Sequence, residues 1–283
     1  MTLPIAPDKA TKFKSNFPVE ARNPEKGIII SEGKGIKADS IAIVITIPGY
    51  PRFEMTLITQ FATLSNMLTI VPTPIGNLKD ITLRALEVLQ SVDSIICEDT
   101  RRTSLLLNHY QIKKPLIILN DYNEAKNMGY ILQRLTSGEN LALVSDAGTP
   151  LISDPGYKLV RECLAQNIPV DSLPGSSSVI TALTLSGLPP DKFVFLGYLP
   201  EKPGRRLEAI KNLSKDTTYI IFISPHKLIK TLADFKGVFG DIEIVLAKEL
   251  TKIHQKVEKK KISDWLNQLK IPKGEFVLLF NLS

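Results

Sequence analysis

From Leu68 onward the chain alternates between two hydrophobic rhythms. Short, largely apolar runs at Leu68–Val71, Ser94–Cys97, Leu116–Leu119 and Leu141–Val144 have the length of strands buried on both faces, and Val170–Leu173 reads as a fifth strand. Between them, apolar residues recur at three-residue spacing, as at Leu83, Leu86 and Leu89. That spacing gives a helix one apolar and one polar face. It predicts helices over 83–91, 103–109, 123–137, 157–166 and 179–186. Asp80 or Thr82 can cap the first, and one of Ser176, Ser177 and Ser178 the last. Strands alternating with helices imply βαβ units and a mainly parallel sheet. After Gly187-Leu188-Pro189-Pro190 the pattern changes. Strands are expected at 193–196, 218–223, 243–247 and 276–280, interrupted by helices near 205–213, 226–236 and 262–269. This is a second α/β domain, hinged near Leu188.

Residues 1–66 show neither rhythm. Six prolines, from Pro4 to Pro51, and scattered lysines interrupt them, and one strand is expected at 41–45. No basic start leads into an apolar stretch with a cleavage site, so this is not a signal peptide. Glu20, Glu25 and Glu32 argue against a transit peptide. The expectation is a poorly ordered extension over 1–66, with Met67 as the natural start, a first domain over 67–187 and a second over 188–283.

Composition narrows the classes. With 43% hydrophobic residues among 283, the chain can build a sizeable core. No apolar run approaches the ~18 residues that span a bilayer, so a soluble, cytoplasmic protein without a membrane partner is expected. Cys97 and Cys163 lie far apart in apolar surroundings, and no Cys/His spacing suggests a metal. Two buried thiols in a reducing compartment is the reading. A net charge of +6 suits an anionic partner and equally an ordinary enzyme.

Three loops follow strands and carry the chemistry. They are Pro72–Leu78, Ser145–Gly156 and Pro174–Ser178. Residues at strand carboxyl ends of open α/β sheets are where ligands bind. Gly148 leaves room for close approach, Asp146 supplies a carboxylate, and Thr149, Ser177 and Ser178 supply hydroxyls. Glu98, Asp99, Arg101 and Arg102 form a fourth polar cluster after the second strand. Lys202 to Arg206 make a compact basic turn, and Lys256, Lys259, Lys260 and Lys261 a second basic group. Each has a plainer explanation: turn residues for the loops, a cap for the serines, core packing for Ile75, interlocking ion pairs for the acidic and basic cluster, and a solvated face for the lysines. Trp265 reads as core. His109, His226 and His254 have no partner spacing for metal or triad chemistry.

VPTPIGNLKDIT (71–82), EDTRRT (98–103) and SDAGTPLISDPG (145–156), supported by PGSSSVITAL (174–183) and AKELTKIHQ (247–255), resemble the ribosomal RNA small subunit methyltransferase I family of the tetrapyrrole methylase superfamily. The resemblance runs from about Leu68 to Leu282. It implies a two-domain tetrapyrrole-methylase-like α/β fold, with a mainly parallel N-terminal sheet, a mixed C-terminal sheet and a cofactor cleft between them. It implies a homodimer that uses S-adenosylmethionine to methylate the 2′-oxygen of a cytidine in the decoding region of 16S rRNA, within the 30S subunit. Cofactor contacts fall on Pro74, Ile75, Gly76, Asp146, Ala147, Gly148, Thr149, Ser177 and Ser178. Catalytic roles fall on Glu98, Asp99 and Arg101: either carboxylate can accept the hydroxyl proton, and Arg101 can hold a phosphate or developing negative charge. RNA contacts fall on Arg102, Arg205 and Arg206. Residues 1–66 have no counterpart in the family, and its C-terminal helical appendage does not follow the last strand. Two other readings compete. One keeps the cofactor and methylates a tetrapyrrole precursor. The other is a non-catalytic RNA-binding ribosome-assembly protein.

Overall fold

The computed structural model describes residues 66–120, 122–270 and 272–282, and the backbone of four short strands nearer the N-terminus. The chain divides into two compact units, 1–64 and 65–283. In the first, β1 (Ala21–Asn23) pairs antiparallel with β2 (Ile28–Ile30), and β3 (Ile43–Ile45) with β4 (Phe53–Met55). β3 falls within the strand expected at 41–45. The expectation of a poorly ordered extension otherwise lies outside the described residues.

The second unit begins with five strands and five helices in strict alternation. β5 (Leu68–Ile70), β6 (Ser94–Cys97), β7 (Leu116–Ile118), β8 (Leu141–Leu143) and β9 (Val170–Ser172) are separated by α1 (Leu83–Ser91), α2 (Thr100–His109), α3 (Glu124–Thr136) and α4 (Tyr157–Ala165), and α5 (Ser178–Ser186) follows. The strands are joined in parallel in the order β7-β6-β8-β5-β9. β5, β6 and β8 are buried throughout, as their unbroken apolar runs require. One core layer on this sheet gathers Leu68, Ile96, Leu141 and Leu159, and the other Val71, Leu89, Ile95 and Ala142. Cys97 and Cys163 are both free and buried in these layers.

The remainder builds a mixed sheet from β10 (Phe193–Tyr198), β11 (Thr217–Ile223), β12 (Glu243–Lys248), β13 (Lys256–Lys261) and β14 (Phe276–Leu282), in the order β10-β11-β14-β12-β13. Only the β10–β11 pair is parallel. α6 (Pro203–Lys211), α7 (Pro225–Phe239) and α8 (Ile262–Gln268) accompany it. Its core centres on Phe280, whose ring meets Phe235 edge-on at 4.8 Å and stacks on Tyr219 at 5.4 Å. Trp265 belongs to this core, as expected. A further cluster joins Ile75, Val179 and Leu183 to Ile220, Ala247, Leu250 and Val277, so α5 and the first loop pack directly against the second sheet.

Two local expectations are corrected. α2 starts at Thr100 rather than Thr103, because the Asp99 side chain accepts from the Arg101 N–H as its N-cap. β13 was hidden by charge: KVEKKK reads as a solvated basic run, yet it is an edge strand paired only to β12. Lysines suit an unpaired edge because they oppose further strand addition. Glu258 lies between Lys256 and Lys260 and pairs with both, and Lys259 pairs with Glu243. Glu258 and Glu243 therefore offset part of the positive charge along the strand.

Candidate functional site

The strand order explains the convergence of loops distant in sequence. β6, β8, β5 and β9 are consecutive neighbours, so in a parallel sheet their carboxyl ends form one rim. Glu98 follows β6, Ser145 to Gly156 follow β8, Pro72 to Leu78 follow β5, and Pro174 to Ser177 follow β9. Short hydrogen bonds lock these loops together. Thr73 and Gly148 exchange backbone bonds of 2.9 Å in both directions. The Thr73 hydroxyl donates to Ser145 O at 3.1 Å, and the Thr149 hydroxyl to Ser176 O at 2.9 Å. Gly148 adopts φ +90° and faces Ile75, whose Cγ2 would lie 3.2 Å from an added Cβ. Only glycine fits that turn without strain.

The rim opens into a cavity of about 340 Å³. Of the residues expected to hold a cofactor, Ile75, Asp146, Ala147, Gly148, Thr149, Ser177 and Ser178 line it, as does Arg102. Pro74 and Gly76 do not. Gly76 instead seats the first loop against the second sheet: an added Cβ would lie 2.8 Å from Leu250 O and 2.5 Å from Lys252 Cγ. The Asn77 N–H donates to the Thr251 hydroxyl across the same contact at 3.1 Å. Ser177 is the N-cap of α5, accepting weakly from the Ile180 N–H at 3.5 Å. Asn77 orders its loop by accepting from the Lys79 N–H, and Thr82 rather than Asp80 caps α1.

The second sheet closes the cavity with Phe222, Ser224, Leu250 and Val277, and Tyr198 stands at the end of β10. Sequence reading missed this wall. Phe222 and Val277 are ordinary strand residues, Ser224 and Leu250 follow β11 and β12, and nothing in their spacing marks them. It also missed Asp154, which lines the cavity from the end of the second loop.

The acidic groups differ sharply. Burial raises Asp146, and the Arg102 guanidinium, 3.4 Å from one of its oxygens, opposes that rise. The other oxygen, Oδ1, is buried with no hydrogen-bond partner. A buried acceptor without a donor is costly, so this atom is poised for a ligand donor. Asp154 is half-buried, and burial pushes it up to about 6, aided by the charges of Glu98 and Asp146. Asp99 goes the other way. Arg101 donates to it from its backbone N–H and guanidinium and holds it down at about 2. Glu98, Asp99 and Arg101 lie beside the cavity rather than on its lining.

Of the basic turn, Arg205 is exposed on α6. Arg206 is not a surface cation: it is 4% exposed, its Nε donates to Asp234 at 2.6 Å, and its Nη1 donates to Glu201 O at 3.0 Å. It serves the core of the second sheet, so the expected RNA contact at Arg206 is corrected.

Residues 67–265 match the family described as Tetrapyrrole (Corrin/Porphyrin) Methylases. Ribosomal RNA small subunit methyltransferase I of Thermotoga maritima is 47% identical over 217 residues, covering 76% of this chain and 97% of that protein. The protein of the same name from Mycoplasmopsis pulmonis is 48% identical, covering 75% and 96%. That from Haemophilus influenzae is 47% identical, covering 76% and 78%. Relatives matched almost end to end thus occur beside longer ones. Among solved structures, a diphthine synthase superposes with a TM-score of 0.59 at 16% identity, covering 76% of this chain and 90% of that one. The precorrin-6Y methylase of Archaeoglobus fulgidus gives 0.53 at 17%, covering 77% and 98%. At those identities the likeness is one of fold.

Gly76→Ala should push the first loop off the Leu250–Lys252 turn and widen the cavity between Ile75 and Leu250. We expect ligand affinity at this site to fall, because the first loop is no longer held in its place on the lining. The melting temperature should fall with it. Calorimetry on the purified variant checks both.

Proposed function

Because the chain belongs to the ribosomal RNA small subunit methyltransferase I family of tetrapyrrole methylases, we propose that it methylates small-subunit rRNA, on the 2′-oxygen of a cytidine in the decoding region. The methyl donor in this reading is S-adenosylmethionine, held in the cavity at the strand ends. The observation that carries it is the buried, partnerless Asp146 Oδ1 in a cavity lined by apolar and hydroxyl-bearing residues together with Arg102, Asp154 and Glu275. The residues fit the donor. Ile75, Leu250 and Val277 offer an apolar wall for an adenine ring. Asp146 offers an acceptor for ribose hydroxyls or an amino group. Thr149, Ser177 and Ser178 offer further polar contacts. When bound, S-adenosylmethionine supplies a methyl group on a sulfonium sulfur, a good leaving centre.

The chain's own contribution is alignment and charge. Fixed loops hold the reactants in line, which can supply much of the rate. Arg102 borders the cavity at its exposed edge, and Arg205 lies on α6. Both suit the phosphates of an incoming RNA strand. The rRNA acceptor implies a cytoplasmic enzyme that meets its substrate within the 30S subunit, and a homodimer belongs to the same reading. Among the described residues no helix is long and apolar enough to cross a membrane.

The decisive experiment maps 2′-O-methyl groups on 16S rRNA from a deletion strain and from 30S subunits treated with the purified protein. Loss of one cytidine mark, restored in vitro, is the expected result. A methylated tetrapyrrole and unchanged rRNA would favour the other family chemistry. Arg205→Ala should weaken RNA binding modestly and lower the slope of log affinity against log salt by about one, as for one lost phosphate contact. Filter binding over a salt series measures it.

A further inference from the structure

We propose that a lysine-lined groove on the α8 side of the second sheet is a docking surface for RNA, gripping backbone phosphates that flank the nucleotide presented to the cavity. This inference rests on the rRNA reading above. The donor cavity is a poor place for a polyanion. Asp146, Asp154 and Glu275 line it against the guanidinium of Arg102 alone, so the backbone needs positive charge outside it. The groove supplies that charge. It holds about 500 Å³ and is lined by Lys248, Lys256, Lys270 and Lys273, with Glu258 as its one carboxylate. Glu258 pairs with Lys256 at 2.8 Å and with Lys260 at 3.0 Å. Among the described residues no ion pair holds Lys248, Lys270 or Lys273.

The fold fixes where these lysines stand. Lys248 lies opposite Lys256 in the β12–β13 register and opposite Phe276 in the β12–β14 register. Directly opposed residues share a face, here the face on which Trp265 of α8 packs. Lys248 Nζ lies 5.7 Å from the centre of the Phe276 ring. Lys273 sits on the turn into β14. Gly274, at φ 101°, seats that turn on Glu249: an added Cβ would lie 2.9 Å from Oε1, and the same oxygen accepts from the Glu275 N–H at 2.8 Å. The turn gives Lys273 to the groove and Gly274 and Glu275 to the donor cavity, and Phe276 borders both. A strand with its acceptor ribose at the cavity therefore has the lysines one turn of chain away. Plainer roles cover only part of the set. Edge-strand lysines oppose strand addition, and Lys270 complements the carboxyl end of α8. Neither accounts for Lys248, whose strand is paired on both sides, or for Lys273 on its fixed turn. Trp265 and Phe276 are only 5% and 7% exposed, too buried to stack on a base. The groove thus grips backbone without reading sequence.

The test compares wild type with K270S/K273S, with K270R/K273R, and with K113S/K230S, a control that removes two exposed lysines elsewhere. Filter binding to isolated 16S rRNA is measured over a salt series. K270S/K273S should lower the slope of log affinity against log salt by about two, one for each lost phosphate contact. The same drop should appear with an RNA of unrelated sequence. K270R/K273R should keep the wild-type slope, since arginine also binds phosphate, and the control should lose less than K270S/K273S. With 30S subunits as substrate, K270S/K273S should raise KM and leave kcat unchanged, the mark of binding lost equally from ground and transition states. Its melting temperature and its calorimetric affinity for S-adenosylmethionine should match wild type. Equal slopes in K270S/K273S and the control overturn the inference, as does a fall in kcat at constant KM. If K270S/K273S binds isolated rRNA like wild type but 30S subunits more weakly, the groove serves an acidic protein face and the inference fails. If wild type methylates rRNA and K270S/K273S matches it in slope and KM, only the groove fails. If wild type binds rRNA with the groove-dependent slope yet leaves it unmodified, the groove stands and the methylation reading fails.

Discussion

Replacing Asp146 with alanine should weaken S-adenosylmethionine binding by about 10- to 100-fold, the range set by 1.5–3 kcal/mol for a hydrogen bond to a charged group. Two features make the effect large. Oδ1 is buried without a protein partner, so a bound donor group meets no competitor there. Oδ2 holds the Arg102 guanidinium at 3.4 Å, and that cation is loosened when the carboxylate goes. The fold itself should not suffer, because burial already disfavours the Asp146 charge. Isothermal calorimetry on the ligand-free variant decides the matter. Affinity within twofold of wild type would mean that the orphan oxygen serves no ligand. Asp146→Asn, which keeps an acceptor oxygen without the charge, should lie between the two.

Arg206→Met should destabilise the protein by about 3–5 kcal/mol, the cost of leaving one member of a buried ion pair without the other. Asp234 is the abandoned partner, and the Arg206 side chain is only 5% exposed. Glu201 O loses its donor as well. Replacing both partners, Arg206→Met with Asp234→Leu, should restore most of the loss, since well-packed apolar residues replace buried ion pairs at little cost. Denaturant unfolding of the four proteins in the cycle measures this. The same set tests the role of the basic turn. RNA affinity per folded molecule should be unchanged in Arg206→Met and reduced in Arg205→Ala. A drop in RNA affinity with wild-type stability would return Arg206 to the RNA surface.

Much of the site was legible before any coordinates. Glycine, proline, serine and aspartate after an unbroken apolar run signal a loop at a strand's end, and that logic found Asp146, Gly148, Thr149 and Ser177. All of them line the cavity. Asp154 was in view within the same motif, yet a carboxylate after a turn looks like any turn residue. What distinguishes it is partial burial and the charges of Glu98, at the end of neighbouring β6, and of Asp146 on its own loop. Arg206 was misread for the converse reason. A basic turn ahead of a helix looks solvated, and only packing against α7 shows that Asp234 takes its charge. β13 was missed because KVEKKK holds a single apolar residue, Val257, so no hydrophobic pattern marks it as a strand.

The sequence by itself determined the local elements: which runs are buried strands, which stretches are amphipathic helices, and which loops are rich in small and acidic residues. Those depend on side-chain periodicity and backbone preference, which act over a few residues. Only the tertiary structure decided that β6, β8, β5 and β9 lie side by side, that Gly76 seats one sheet's loop on the other, and which carboxylates keep their charge freely. Adjacency, burial and electrostatic coupling arise between residues far apart in the chain. No local pattern carries them until the strands have taken their order.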